Sequence, residues 1–302
     1  MELLSFLTVF LLLFFIGMRL LQIGLHYFMN AKIERWLTKG TNNIIVSIFI
    51  GTIATTFLQS SSVVLVITIS LVTIGVLTFR QTIGIILGAN IGTTVTGEIL
   101  VFGDTFPFLI WLLIGTVLLL FPQKVLFYSG CIFVGISTIF VALDGFESLA
   151  TLVANNHMII EGFTLTKTYP SFGVLIGTII SGIIQSSSAT FGLTLSMIDH
   201  QLLSLSGSIA VVLGSNIGTC VTSLIASIGT TKEAKLVAVA HTTFNLVTVI
   251  IALPLIPIFT MIALKVASDS GMQLAHISVI FNVFSVLIVL PFLPLVEKMF
   301  TK

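Results

Sequence analysis

Charge is nearly missing from this chain. Of its 302 residues only 8% are Asp, Glu, Lys or Arg, while 56% are hydrophobic; a water-soluble domain carries about 25% charged residues. Most of the chain must therefore face something other than water. The formal net charge is +1, which gives no argument for nucleic acid as a partner. Cysteine is scarce as well. Cys131 and Cys220 lie far apart in apolar or motif surroundings, without a CxxC or a Cys/His cluster, so neither a disulfide framework nor a zinc site is indicated. The first apolar run is not expected to be a cleavable leader. Lys32, Arg35 and Lys39 follow the first apolar run instead of preceding it, and no small-residue cleavage site separates them.

What is present is apolar sequence in long runs, with a mean hydropathy of +1.21. Residues 3–28, 106–121 and 236–253 each read as a membrane-spanning helix, which needs about 20 apolar residues. Strands of a membrane barrel would alternate apolar and polar positions, and these runs do not. The fold class expected is an all-α polytopic membrane protein.

Polar residues interrupt the runs in a pattern that occurs twice. "GTIATTFLQSSS" (51–62) returns 126 residues later as "GTIISGIIQSSS" (177–188), with seven of twelve positions identical. "LGANIGTTVT" (87–96) returns at the same offset as "LGSNIGTCVT" (213–222), with eight of ten identical. The register holds without a gap for 46 residues (51–96), and between the blocks mainly the apolar character persists. In each copy the Gln precedes the Asn by 31 residues, Gln59 to Asn90 and Gln185 to Asn216. The chain is a duplicated unit, divided here into residues 1–125 and 126–302.

Residues 44–58 and 63–79 are apolar arms of 15 and 17 residues, short for a span. Joined by Gln-Ser-Ser-Ser they read as a re-entrant helical hairpin over about 44–79, and 172–198 reads likewise. The Asn-Ile-Gly-Thr motifs fall inside longer apolar runs, 82–101 and 205–228. Gly is a poor helix former, so a break is expected in each of these spanning helices. With both hairpins re-entrant, Lys32, Arg35, Lys39, Arg80, Lys124, Lys232, Lys235, Lys298 and Lys302 share one side, against Lys167 and Lys265 on the other. Arg19 lies within the first helix. This positive-inside bias predicts an outside N-terminus, a cytoplasmic C-terminus and seven spanning helices, the last of them following the second repeat. Acids lean the opposite way, with Glu2, Asp104, Asp144, Glu147, Glu161, Asp199 and Asp269 on the outer side. The first hairpin then opens from the cytoplasm and the second from outside, so the repeats are inverted.

Inverted repeats with interrupted helices in matching places point to a secondary transporter with its site near the bilayer midplane. A helix that stops within lipid leaves backbone groups that lipid cannot satisfy. Starting ends, expected after Gln59, Gly92, Gln185 and Gly218, would suit an anion. Stopping ends, expected near Leu58, Ala89, Ile184 and Ser215, would offer carbonyl oxygens to a hard cation. The hydroxyls of Ser60, Ser61, Ser62, Ser186, Ser187 and Ser188, and the amides of Gln59, Asn90, Gln185 and Asn216, can serve either charge. No acid occurs between Ile44 and Gly97, whereas proton-coupled carriers generally place an Asp, Glu or His in the membrane. Sodium held by neutral oxygens fits better than a proton. Lithium selectivity and a proton relay through Glu98 stay open.

Paired QSSS motifs, each followed by a GANIGTT-like stretch, resemble the type II sodium-dependent phosphate cotransporters and their bacterial relatives. The resemblance covers roughly residues 14–294, and "AHTTFN" (240–245) is similar to a His-containing helix segment of that family. It implies a symporter that drives inorganic phosphate inward across the cell membrane with sodium, by alternating access and without a cofactor. It also implies a site lined by Gln59, Ser60, Ser61, Ser62, Asn90, Gly92, Thr93 and Thr94, and by Gln185, Ser186, Ser187, Ser188, Asn216, Gly218 and Thr219. Cys220 stands where the first repeat has Thr94, so that position lacks a hydroxyl. Many bacterial relatives carry an additional soluble C-terminal domain; none is expected in this sequence.

Other readings compete. Ser and Thr in membrane helices usually serve packing, but the repeat of sequence and spacing argues for a site. The Gly residues of the Asn-Ile-Gly-Thr motifs suit tight helix crossings too. A carboxylate or sulfate would fit helix ends and hydroxyls as phosphate does, and a passive channel would need the same polar lining. An intramembrane hydrolase using Ser61 or Ser187 would need a nearby base, yet there is no GxSxG and no His or Asp close to either QSSS. His241 and His276 suit interfacial or interhelical hydrogen bonds, and Glu98 is the best candidate for a buried acid.

Overall fold

The computed structural model describes residues 2–39, 43–102, 107–153 and 157–293, and among them it is entirely helical. Asp104, Lys298 and Lys302, part of the charge pattern above, lie outside the described residues. The helices run α1 (Glu2–Lys39), α2 (Ile44–Leu58), α3 (Ser61–Thr73), α4 (Phe79–Leu100), α5 (Phe108–Leu119), α6 (Lys124–Val153) and α7 (His157–Thr168). They continue as α8 (Pro170–Ile184), α9 (Ser187–Asp199), α10 (Leu205–Gly218), α11 (Cys220–Ala226), α12 (Lys232–Ala252), α13 (Ile256–Val266) and α14 (Ser270–Val289).

Among the described residues six stretches are long and apolar enough to cross a membrane: Leu4–Phe28, Phe79–Leu100, Lys124–Phe146, Leu205–Ala226, Lys232–Val266 and Ser270–Phe292. The protein is a multi-pass membrane protein. The seventh span expected at 106–121 is not among them, because α5 has only 12 helical residues, about 18 Å at 1.5 Å per residue. Pro107 is its N-cap, and Pro122 follows its end, where a proline lacks the N–H needed to continue the helix. Large side chains such as Leu113 (68% exposed) and Ile183 (78%) point outward, as lipid permits and water does not.

Two helix pairs repeat the same contact at the 126-residue offset. In α2–α4, a Cβ on Gly88 would strike the Ile48 carbonyl; in α8–α10, one on Gly214 would strike the Val174 carbonyl. Each crossing is fastened by a threonine. Thr52 Oγ1 donates to Gly88 O at 3.1 Å, and Thr178 Oγ1 donates to Gly214 O at 3.1 Å. Only a residue without a side chain allows backbones to approach this closely. Two apolar cores surround the pairs. Leu65, Ile69, Ile83, Ile85 and Phe244 join α2, α3, α4 and α12. Phe14, Phe140, Phe146 and Phe281 join α1 and α6 to α9, α10, α13 and α14.

The break expected in the first repeat is not there. α4 runs unbroken from Phe79 to Leu100 through Asn90, Ile91, Gly92 and Thr93, so no helix ends at Ala89 or begins after Gly92. Gly92 serves proximity instead: a Cβ there would sit 2.5 Å from the Thr52 carbonyl oxygen. In the second repeat α10 stops at Gly218 and α11 starts at Cys220, but Thr219 between them keeps φ −65° and ψ −15°. Its N–H reaches Ser215 O at 3.1 Å. That is a local tightening, and it exposes no helix end as wide as the one expected. Gly218, too, packs against the Thr178 carbonyl.

Candidate functional site

The two Gln-Ser-Ser-Ser tips have one local geometry. α2 and α8 each end on a glutamine in the left-handed region, Gln59 at φ 49° and Gln185 at φ 56°. Such a residue commonly closes a helix. The following serine is extended and caps the next helix. Ser60 Oγ accepts from Val63 N–H at 3.2 Å, and Ser186 Oγ accepts from Ala189 N–H at 3.1 Å. Serine is chosen here because its short hydroxyl satisfies one of the bare donors of a helix start. Ser61 and Ser62 open α3, and Ser187 and Ser188 open α9.

The tips differ in their surroundings. Gln59 is 6% exposed; its Nε2 donates to Thr56 O at 2.6 Å and its Oε1 accepts from Thr96 Oγ1 at 2.9 Å. Gln185 is exposed. Thr222, at the position that matches Thr96, has a buried Oγ1 with no hydrogen-bond partner. One sequence motif therefore occupies two environments.

A small cavity, about 20 Å³, brings residues of both repeats together, roughly enough for one water-sized sphere. Its lining includes Thr93 and Thr94 of α4, Ser187 and Ser188 of α9, and Ser215 and Asn216 of α10. Of the residues expected to line a site, Thr93, Thr94, Ser187, Ser188 and Asn216 thus converge. Gln59, Ser60, Ser61, Ser62, Gln185 and Ser186 are not in this lining, and neither are Gly92, Gly218 and Thr219. Thr219 Oγ1 instead bonds the Asn216 carbonyl at 3.1 Å. Ser278 and Asn282 of α14 also line the cavity. Sequence reasoning missed both, because α14 lies beyond the stretch in which the repeat is legible.

Asn90 takes another course. Its Nδ2 donates to Asn245 Oδ1 at 2.9 Å; Asn245 Nδ2 in turn reaches Cys220 Sγ at 3.3 Å and His241 O at 3.1 Å. His241, 2% exposed, shares a hydrogen bond through Nδ1 with Ser223 Oγ at 3.0 Å. This buried chain ties the motif of the first repeat to that of the second through "AHTTFN" of α12. His241 is interior here, not interfacial. Cys220, at the position that matches Thr94, works as a buried link. His276 Nδ1 meets Glu98 Oε1 at 2.9 Å, both about one-third exposed, so the candidate acid and this histidine are partners.

Chemically the region offers neutral oxygens, amides and helix starts. Among the described residues no group of three or more His, Cys, Asp or Glu could hold a metal ion.

Comparison with known proteins agrees with the motifs. The family model described as Na+/Pi-cotransporter matches twice, over residues 13–148 and 153–288. An uncharacterized protein of Bacillus subtilis (strain 168), YqeW, is 35% identical over 279 residues, covering 91% of this chain and 89% of its own length. The sodium-dependent phosphate transport protein 2A of Ovis aries is 34% identical over 92 residues, 28% of this chain and 14% of that protein. YjbB of Escherichia coli (strain K12), whose name provisionally assigns it inorganic phosphate export, is 22% identical over 241 residues, 80% of this chain and 44% of its own. No solved structure matches the chain.

Proposed function

The chain belongs to the Na+/Pi-cotransporter family, and we propose on that premise that it is a sodium-coupled carrier of inorganic phosphate. The observation that carries this reading is the meeting of Thr93 and Thr94 with Ser187, Ser188 and Asn216 around one cavity. Motif residues of the two halves, contributed from different positions of the repeat, converge there without a fixed charge, as expected of a solute site shared between repeats. In this reading sodium organises the oxygens first, and phosphate then meets hydroxyls and the N–H groups that open α9. Loading would lower the dehydration penalty of the anion, and alternating access would expose the site to each side in turn. Gln59 to Ser62, Asn90, Gly92, Gln185, Ser186, Gly218 and Thr219 would support the site by holding the tips and the close helix crossings.

The repeats are proposed to be inverted, with a cytoplasmic C-terminus and net transport inward. The likeness to sodium-dependent phosphate transport proteins supports sodium dependence; the name of the YjbB relative favours export as the second reading. Uptake of labelled phosphate into proteoliposomes, with and without an inward sodium gradient, tests the coupling. Equal uptake in both conditions rejects it. Efflux from preloaded vesicles separates the two directions. Competition by sulfate and small carboxylates tests the choice of anion.

A further inference from the structure

Much of the polar lining of the cavity at the seam presents acceptors. Thr93 Oγ1 donates to Ala89 O at 3.0 Å, Thr94 Oγ1 to Ile91 O at 2.7 Å and Ser215 Oγ to Val212 O at 2.7 Å. Asn216 Nδ2 donates to Val212 O at 3.2 Å, and Asn282 Nδ2 to Ser278 O at 2.9 Å. Five lining side chains thus turn donors back onto carbonyls of their own helices. Each hydroxyl engaged in this way presents lone pairs, and each amide tied by its nitrogen presents its oxygen. At these five side chains an anion would meet acceptors. A small cation would meet ligands.

Asn282 makes the case specific. It is 1% exposed, and its Oδ1 is buried without a hydrogen-bond partner. Rotating the amide by half a turn does not relieve this, because oxygen would then face the Ser278 carbonyl. A buried carbonyl oxygen left unpaired is unfavourable, and a bound cation would relieve it. No acid lines the cavity, so a monovalent ion leaves less unbalanced charge than a divalent one. Its volume, about 20 Å³, accommodates one ion stripped of most of its water. Carbonyl and hydroxyl oxygens can replace such a hydration shell.

We infer that Asn282 of α14, together with Thr94 and Asn216, forms a seat for one sodium ion between the repeats. The inference rests on the proposed sodium coupling and adds to it a ligand from a helix outside both duplicated motifs.

Binding of sodium-22 to the purified full-length protein in detergent, without phosphate and with choline as replacement ion, tests it. Wild type should bind saturably. Asn282→Ala should raise the half-saturating sodium about tenfold or more, whereas Asn282→Asp, which keeps an oxygen in place, should stay within about threefold of wild type. If Asn282→Ala does not fold, Thr94→Val removes a second oxygen at near-constant volume and should weaken binding likewise. Absence of saturable binding in wild type overturns the seat. So does wild-type binding in folded Asn282→Ala, or in folded Thr94→Val should Asn282→Ala fail to fold. Sodium binding that Asn282→Ala loses, without any phosphate uptake by wild type, would sustain the seat and remove the phosphate reading. Sodium-driven phosphate uptake with undiminished binding in Asn282→Ala would do the reverse.

Discussion

Asn90 and Asn245, 155 positions apart in sequence, share a buried hydrogen bond of 2.9 Å. It joins the first Asn-Ile-Gly-Thr motif to α12, whose Asn245 also reaches Cys220 in the second. Asn245→Ala should leave Asn90 without its acceptor. A loss of about 1–3 kcal/mol is expected for such a stranded donor, read as a lower unfolding midpoint of the detergent-solubilised protein. An unchanged midpoint would mean that the bond carries no stability.

The two glutamine tips should respond differently to the same substitution. Gln59→Ala strands the Thr96 hydroxyl in a buried setting and should destabilise by about 1–3 kcal/mol. Gln185→Ala removes an exposed side chain and should shift stability by no more than about 0.5 kcal/mol. Transport lost in Gln185→Ala would then report on solute handling. Equal destabilisation by both variants would contradict the asymmetry.

At the helix crossings, Gly88→Ala and Gly214→Ala would each press a methyl group into a facing carbonyl. Overpacking of this kind costs about 1–3 kcal/mol. Gly162→Ala supplies the contrast, since a Cβ there meets nothing within 4 Å and alanine is the better helix former by about 1 kcal/mol. Thermal unfolding of the three variants checks the order.

Glu98 and His276 are paired, and both are partly exposed. A double-mutant cycle with Glu98→Gln and His276→Gln should give a coupling energy of about 1 kcal/mol or less. Sodium-driven uptake should persist in Glu98→Gln. Uptake that becomes independent of sodium but sensitive to a pH gradient would favour a proton relay.

The tips were legible because the same polar sequence returns at a fixed offset, and only a shared geometry explains why Gln59 and Gln185 both close a helix. The continuity of α4 was not. Gly92 looks like a helix breaker in sequence, and its use as a contact point for Thr52 depends on where α2 lies. Thr94 and Asn216 could be singled out from their motifs. Asn282 could not, since nothing in "ISVIFNVF" (277–284) distinguishes it from an interhelical polar residue. Cys220 read as a lost hydroxyl, and only the arrival of Asn245 from α12 shows what its sulfur touches.

The backbone-to-backbone crossings at Gly88 and Gly214, each fastened by a threonine, leave α2 no slack against α4 and α8 none against α10. Each pair is therefore packed as a unit, and the seam between the pairs, which holds a cavity, is the looser packing. Thr93 of α4 and Ser215 and Asn216 of α10 line the cavity at that seam with Asn282 of α14, so a solute lodged there would touch both pairs at once.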